Sequence, residues 1–287
     1  MPAPGPTDPT KLVPIPTTNG ELHGEAFIPS PASAGPTAPK GIVVVTHGYA
    51  EHCGRYREVA NVIMAAGWAA LTYDVRGHGK SPGVRGYVDA FHEYTDDLRA
   101  VMTVARGLVP APAPLVLLGH SHGSLITLRA ACDGVDAKAL IVSSPYLALR
   151  MAVPGWKKLL AKVASRLAPK LAQPNGIKAD QLTHDKEMQR IHDADPLNFN
   201  VATSRWFVES SKAQGEVAAN AARITLPSTW LVGADDPLTD PAQSKRVASS
   251  MKNADYHELR GFLHEVFNEV DRAQPFELLT KALAAIG

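Results

Sequence analysis

Residues 115–123 read Leu-Val-Leu-Leu-Gly-His-Ser-His-Gly, an apolar run that ends in Gly119-x-Ser121-x-Gly123 and passes directly into the helix-forming stretch Ser124-Leu125-Ile126-Thr127-Leu128. A strand that hands its chain to a helix within so few residues needs a sharp turn, and glycines on both flanks allow backbone approaches that a side chain would block. Such a turn presents the serine hydroxyl at the top of a sheet, the posture of a nucleophile. The pattern has little specificity by itself, since Gly79-Lys80-Ser81-Pro82-Gly83 repeats it in the same chain. The two copies differ physically. An oxyanion is stabilised in part by the backbone N–H of the residue after the serine, which Pro82 lacks and His122 has. Pro82 and Gly83 also oppose a following helix, whereas Leu125, Ile126 and Leu128 favour one. Ser121 is therefore the candidate nucleophile.

Around this element apolar runs alternate with helical segments. Strands are predicted over residues 22–28, 41–46, 69–74, 115–119, 139–143, 228–232 and 256–260, and helices over 55–66, 89–108, 124–132, 241–251 and 266–285. That order specifies an α/β fold with a mostly parallel central sheet and flanking helices. The rhythm breaks once, between about residues 148 and 222, where only amphipathic helical stretches are legible. Residues 20–147 and 223–287 are read as the core, 148–222 as an inserted helical cap, and 1–19 as a loose Pro-rich N-terminal tail.

A serine on such a turn needs a base and an orienting acid, both from loops at the C-terminal ends of later strands and in the order Ser, Asp or Glu, then His. The strand ending at Val232 runs into Gly233-Ala234-Asp235-Asp236, and the last strand runs into Gly261-Phe262-Leu263-His264. His264 is the candidate base; His257 lies inside a predicted strand. Asp236 is preferred to Asp235 and Asp240 because the Gly-x-x-Asp spacing lets the loop turn before the carboxylate faces back. The run Val43-Val44-Val45-Thr46 leads into His47-Gly48-Tyr49, which makes the Tyr49 backbone N–H the candidate second oxyanion donor beside that of His122.

Composition narrows the classes of function. With 287 residues, 45% of them hydrophobic, and a net charge of +1, the chain can bury a large core and has no global charge that would attract nucleic acid. No stretch approaches a membrane span, and residues 1–16 lack a basic start followed by an apolar run, so a cytoplasmic protein is expected. Cys53 and Cys132 form neither a disulfide framework nor a metal pattern. His120-x-His122 lacks the further His and Asp that a metal pair would require, so no metal is expected.

The chain resembles the monoacylglycerol lipase and lysophospholipase-like branch of serine α/β-hydrolases. The blocks that carry the resemblance are His47-Gly48-x-x-Glu51-His52-x-Gly54-Arg55-Tyr56, Asp74-x-Arg76-Gly77-His78-Gly79-x-Ser81-x-Gly83, Gly119-His120-Ser121-x-Gly123, Ser144-Pro145, Asp195-Pro196-Leu197 and the acid and histidine loops. The resemblance covers roughly residues 20–285. It implies an α/β-hydrolase fold and hydrolysis of an ester between an acyl chain and a small polar alcohol, with no cofactor. Monoacylglycerol is the first expectation for the substrate, a short-chain ester or lysophospholipid the alternative. The chain departs from the branch at His122, where such lipases usually carry Met.

Several assignments stay open at this level. Glu51 and Arg55 fit either a substrate-headgroup site or a structural ion pair beneath the oxyanion loop. Residues 150–180 carry seven basic residues and one acidic, with Trp156, Leu159, Leu160, Val163, Leu167 and Leu171 at helical spacing. Such a helix fits transient contact with an anionic membrane or ordinary packing of its apolar stripe on the core. A proline-iminopeptidase-type peptidase would need acidic groups in the cap, and the first half of this cap is basic. A hydrolase-fold binding protein would be expected to lack a member of the Ser-His-Asp set.

Overall fold

In the computed structural model, residues 7–29 and 38–286 are described. The expected strands form: β1 Lys11–Thr17, β2 Gly20–Phe27, β3 Ile42–Thr46, β4 Ala69–Tyr73, β5 Leu115–His120, β6 Ala139–Ser143, β7 Ala172–Pro174, β8 Val201–Thr203, β9 Ser228–Gly233 and β10 Ala254–Leu259, with β1, β7 and β8 as additions. The helices are α1 Arg57–Ala65, α2 His92–Arg106, α3 His122–Cys132, α4 Gly155–Leu167, α5 Lys186–Ala194, α6 Ser204–Asn220, α7 Pro241–Ser250 and α8 Ala273–Ile286. Eight strands make one sheet in the order β1-β2-β4-β3-β5-β6-β9-β10. The pairs β1/β2 and β2/β4 are antiparallel and the rest of that sheet is parallel.

Successive side chains of a strand point to opposite faces, and both faces of this sheet are covered. Ile42 and Val44 face a core shared with Leu98, Leu125 and Leu128, while Val43 and Val45 face one shared with Val59, Ile63, Leu279 and Leu283. This accounts for the uninterrupted apolar runs in the central strands.

Two expectations are corrected. The loose tail over 1–19 contains β1, an edge strand whose buried Val13 and Ile15 pair with Gly24 and Leu22; residues 1–6 lie outside the described residues. Pro14 and Pro16 made the segment read as a tail. At a sheet edge a proline's missing N–H costs no ladder bond, and the two prolines alternate with the buried residues. The stretch between β6 and β9 is not purely helical, because β7 and β8 pair antiparallel within it. Three-residue strands are too short to leave a periodic signature.

That stretch contains α4, α5 and α6. Trp206, Ala213 and Val217 of α6 join the core, and α4 lies along α6. The apolar stripe of α4 is not packed away: Trp156 is 62% exposed, Leu159 64% and Leu167 81%. Among the described residues no helix is long and apolar enough to cross a membrane.

Candidate active site

Ser121 lies between β5 and α3 with φ 51° and ψ −114°, a left-handed conformation that a residue with a side chain adopts only when its surroundings enforce it. The flanking glycines supply that enforcement. A Cβ on Gly123 would lie 2.1 Å from the Thr46 carbonyl oxygen, and one on Gly119 would lie 2.6 Å from that of Gly123. The serine is thereby held at the C-terminal end of the sheet, where the loops after β3, β9 and β10 converge.

His264 comes from the loop after β10 and Asp236 from the loop after β9. The Ser121 hydroxyl lies 2.9 Å from His264 Nε2, and His264 Nδ1 lies 2.7 Å from Asp236 Oδ2. Asp236 is fully buried and accepts from Thr239 Oγ1 at 2.6 Å, Leu238 N at 2.8 Å and Thr239 N at 3.0 Å. Burial would raise its pKa, but His264 and the Thr239 hydrogen bonds hold the carboxyl below the ordinary range. Burial likewise opposes protonation of His264; the charge and hydrogen bond of Asp236 outweigh it, so the imidazole titrates above its usual value. Asp235 takes no part here, accepting instead from Gly261 N at 2.9 Å. Ser81 accepts from His23 N and donates to the Asp74 carbonyl, and His257 pairs with Asp255.

The loop after β3 lies against the serine, since a Cβ on Gly48 would be 3.3 Å from Ser121 Cβ. No hydrogen bond from the Tyr49 or His122 backbone N–H is formed among the described residues. Glu51 braces this loop. Its Oε1 accepts from Gly48 N at 2.6 Å and from the Tyr56 hydroxyl at 2.7 Å, and its Oε2 lies 3.4 Å from Arg55 Nη1. Arg55 Nη2 donates to Glu265 Oε2 at 2.7 Å. Arg55 and both glutamates also line a cavity beside Ser121, so the two readings of Glu51 and Arg55 coexist geometrically.

His122 is turned away. Its ring is fully buried, accepts from Trp206 Nε1 at 3.3 Å and lines neither cavity at the serine. Burial, with His47 adding to it, pushes its pKa down to about 3, leaving it neutral. His120 instead lies 3.0 Å from Ser143 Oγ through Nδ1, so the two histidines do not converge on a shared ligand position.

Two cavities meet at Ser121, Tyr49 and His264. One, of about 550 Å³, is walled by Tyr146, Val153, Trp156, Leu160, Ala164 and Phe207, with Lys157 as its one Lys or Arg and no carboxylate. The other, of about 460 Å³, is lined by Glu51, Asp193, Asp195, Glu265, Arg55 and Asn198 among others. The sequence pattern gave no hint of Glu265, Asp193 or Asn198 as wall residues. No motif connects them, and only the folded insertion brings residues 192–200 beside the loop after β3. Phe199 N bonds the Ala50 carbonyl at 3.2 Å, and His52 Nε2 holds Asp195 at 2.7 Å. The insertion's acidic contribution to this cavity thus comes from its second half.

A buried Ser-His-Asp chain beside unpaired backbone donors is suited to acyl transfer. Residues 37–271 match the model of the family described as Serine aminopeptidase, S33. The chain belongs to this α/β-hydrolase family. The hydrolase is 32% identical over 240 residues to the monoacylglycerol lipase of Mycolicibacterium smegmatis, covering 82% of this chain and 85% of that relative. It is 28% identical over 246 residues to Phospholipase YtpA of Bacillus subtilis, with 83% and 93% covered. The crystal structure of Paleococcus ferrophilus monoacylglycerol lipase matches with a TM-score of 0.82 at 27% identity, over 93% of this chain and all of that one. This hydrolase therefore shares its architecture with monoacylglycerol lipases along nearly its whole length.

Proposed function

We propose that this hydrolase cleaves monoacylglycerols to glycerol and fatty acid through an acyl-enzyme. Ser121 attacks the ester carbonyl while His264 Nε2 takes its proton, and Asp236 fixes the tautomer and stabilises the imidazolium. The Tyr49 and His122 backbone N–H groups receive the oxyanion. His264 then protonates the departing glycerol oxygen, and water, activated by the same imidazole, releases the acid from Ser121. The observation that carries this reading is the position of Ser121 at the seam between an apolar and a polar cavity, which fits an ester joining an acyl chain to a polyol. The names of the relatives support the same substrate.

The exposed stripe of α4 extends the reading. Trp156 and Leu160 are largely exposed and also wall the apolar cavity, with Lys158, Lys162 and Arg166 on the same helix. A transient seat of this helix on an anionic bilayer would place the cavity mouth where acyl chains are found. The decisive assay follows glycerol and fatty acid release from 1-dodecanoylglycerol by wild type and by Ser121→Ala. Wild-type release that is lost in the variant is expected. Cleavage of short-chain esters without cleavage of monoacylglycerol would replace this reading with that of a short-chain carboxylesterase.

A further inference from the structure

Four carboxylates line the polar cavity, those of Glu51, Asp193, Asp195 and Glu265, against one guanidinium, that of Arg55. Carboxylates thus outnumber guanidinium groups in this wall four to one, although the molecule as a whole is +1. Glu51 and Glu265 are each only 5% exposed, so solvent screens them weakly. Arg55 is committed to these two glutamates, and its Nε and Nη1 are buried with no hydrogen-bond partner among the described residues. The same holds for Asn198 Oδ1, an acceptor.

On the reading that this cavity receives the alcohol, we propose that it selects the leaving group by charge, accepting uncharged polyols and rejecting phosphate-bearing or other anionic alcohols. A hydroxyl both donates and accepts, so a glyceryl group can take the Arg55 N–H groups and donate to Asn198 or a carboxylate. A phosphate or carboxylate on the alcohol adds negative charge to the leaving group. It would set that charge beside Asp195 and the buried Glu51 and Glu265, and like-charge juxtaposition across such a contact costs several kcal/mol. The enzyme is on this ground a neutral-lipid hydrolase and not a lysophospholipase, in spite of its basic outer helix.

The test compares kcat/KM for three esters of the same acyl chain, presented as monomers: 1-dodecanoylglycerol, the dodecanoyl ester of glyceric acid, which adds a charge with little change in size, and 1-dodecanoyl lysophosphatidate. Both anionic esters should fall below the glycerol ester by on the order of a hundredfold. Asp193→Asn and Asp195→Asn should each narrow that ratio and the double variant should narrow it further. Because Asp195 also holds His52, Asp193→Asn and a salt series to about 0.5 M serve as independent readouts, salt narrowing the ratio in part. Anionic esters cleaved within about threefold of the glycerol ester, or a ratio unmoved by both neutralisation and salt, would overturn charge selection. Failure on all three with retained cleavage of nitrophenyl dodecanoate would instead count against the monoacylglycerol reading itself.

Discussion

The two cavities that meet at Ser121 have walls of opposite chemistry, yet both are built in large part by the same insertion. Its first half supplies Val153, Trp156, Leu160 and Ala164 to the apolar side, and its second half supplies Asp193, Asp195 and Asn198 to the polar side. The sheet contributes the serine, the histidine and the acid and is common to both. On the proposed reading, the bond-breaking groups stand at strand ends and tight turns, while the insertion supplies much of the walls that receive the acyl group and the alcohol.

The largest loss is expected at the seam between the cavities. Ser121→Ala, His264→Ala and Asp236→Asn should each lower kcat on any ester by about a thousandfold or more with unchanged circular dichroism, whereas Asp235→Asn should remain near wild type. A crippled Asp235→Asn with a healthy Asp236→Asn would reverse the acid assignment. Residual turnover in Asp236→Asn carries a second signature. His264 must be neutral to accept the serine proton, so activity falls as pH drops through its raised pKa, and the acid limb should lie above the ordinary imidazole value of about 6.5. Removing the Asp236 charge should move that limb to lower pH.

Next in size is an effect confined to one cavity. Ala164→Phe places a ring in the apolar wall and should lower kcat/KM for dodecanoyl esters by about tenfold or more while sparing butyryl esters. Equal loss on both chain lengths would mean that acyl chains do not occupy that cavity. A smaller, several-fold effect is expected outside it. Charge reversal at Lys158 and Lys162 should weaken binding to anionic vesicles and slow cleavage of vesicle-borne monoacylglycerol by roughly threefold, with soluble esters unaffected. The smallest effect belongs to His122→Met: the imidazole lines neither cavity and is already neutral, so soluble-ester turnover and the pH profile should hardly change.

How much of this was legible in the sequence follows the same division. Ser121, Asp236 and His264 sit at ends of strands whose apolar runs and glycine turns are local signals, and each could be placed from neighbours within a few residues. The strands from β2 to β6 and β9 to β10 were legible for the same reason, whereas β1 was not, because its prolines read as a tail. The polar cavity was not legible, since only long-range folding brings Asp195 and Asn198 of the insertion and Glu265 of the loop after β10 to one cavity with Arg55. The direction of the His122 side chain was not legible for a related reason: it depends on Trp206, which is 84 residues away in sequence.

The division of labour between the cavities is tested most directly by a crystal structure of the enzyme after reaction with a dodecyl fluorophosphonate, in which Ser121 Oγ displaces fluoride and bonds phosphorus. Density for the alkyl chain should run from Ser121 past Leu160 and Ala164 toward Trp156, with the cavity of Glu51 and Asp195 left to solvent. A chain lying instead along Glu51, Arg55 and Asp195 would invert the assignment of acyl and alcohol sides. It would also reopen the peptidase reading, in which acidic groups hold an amine on the acyl side.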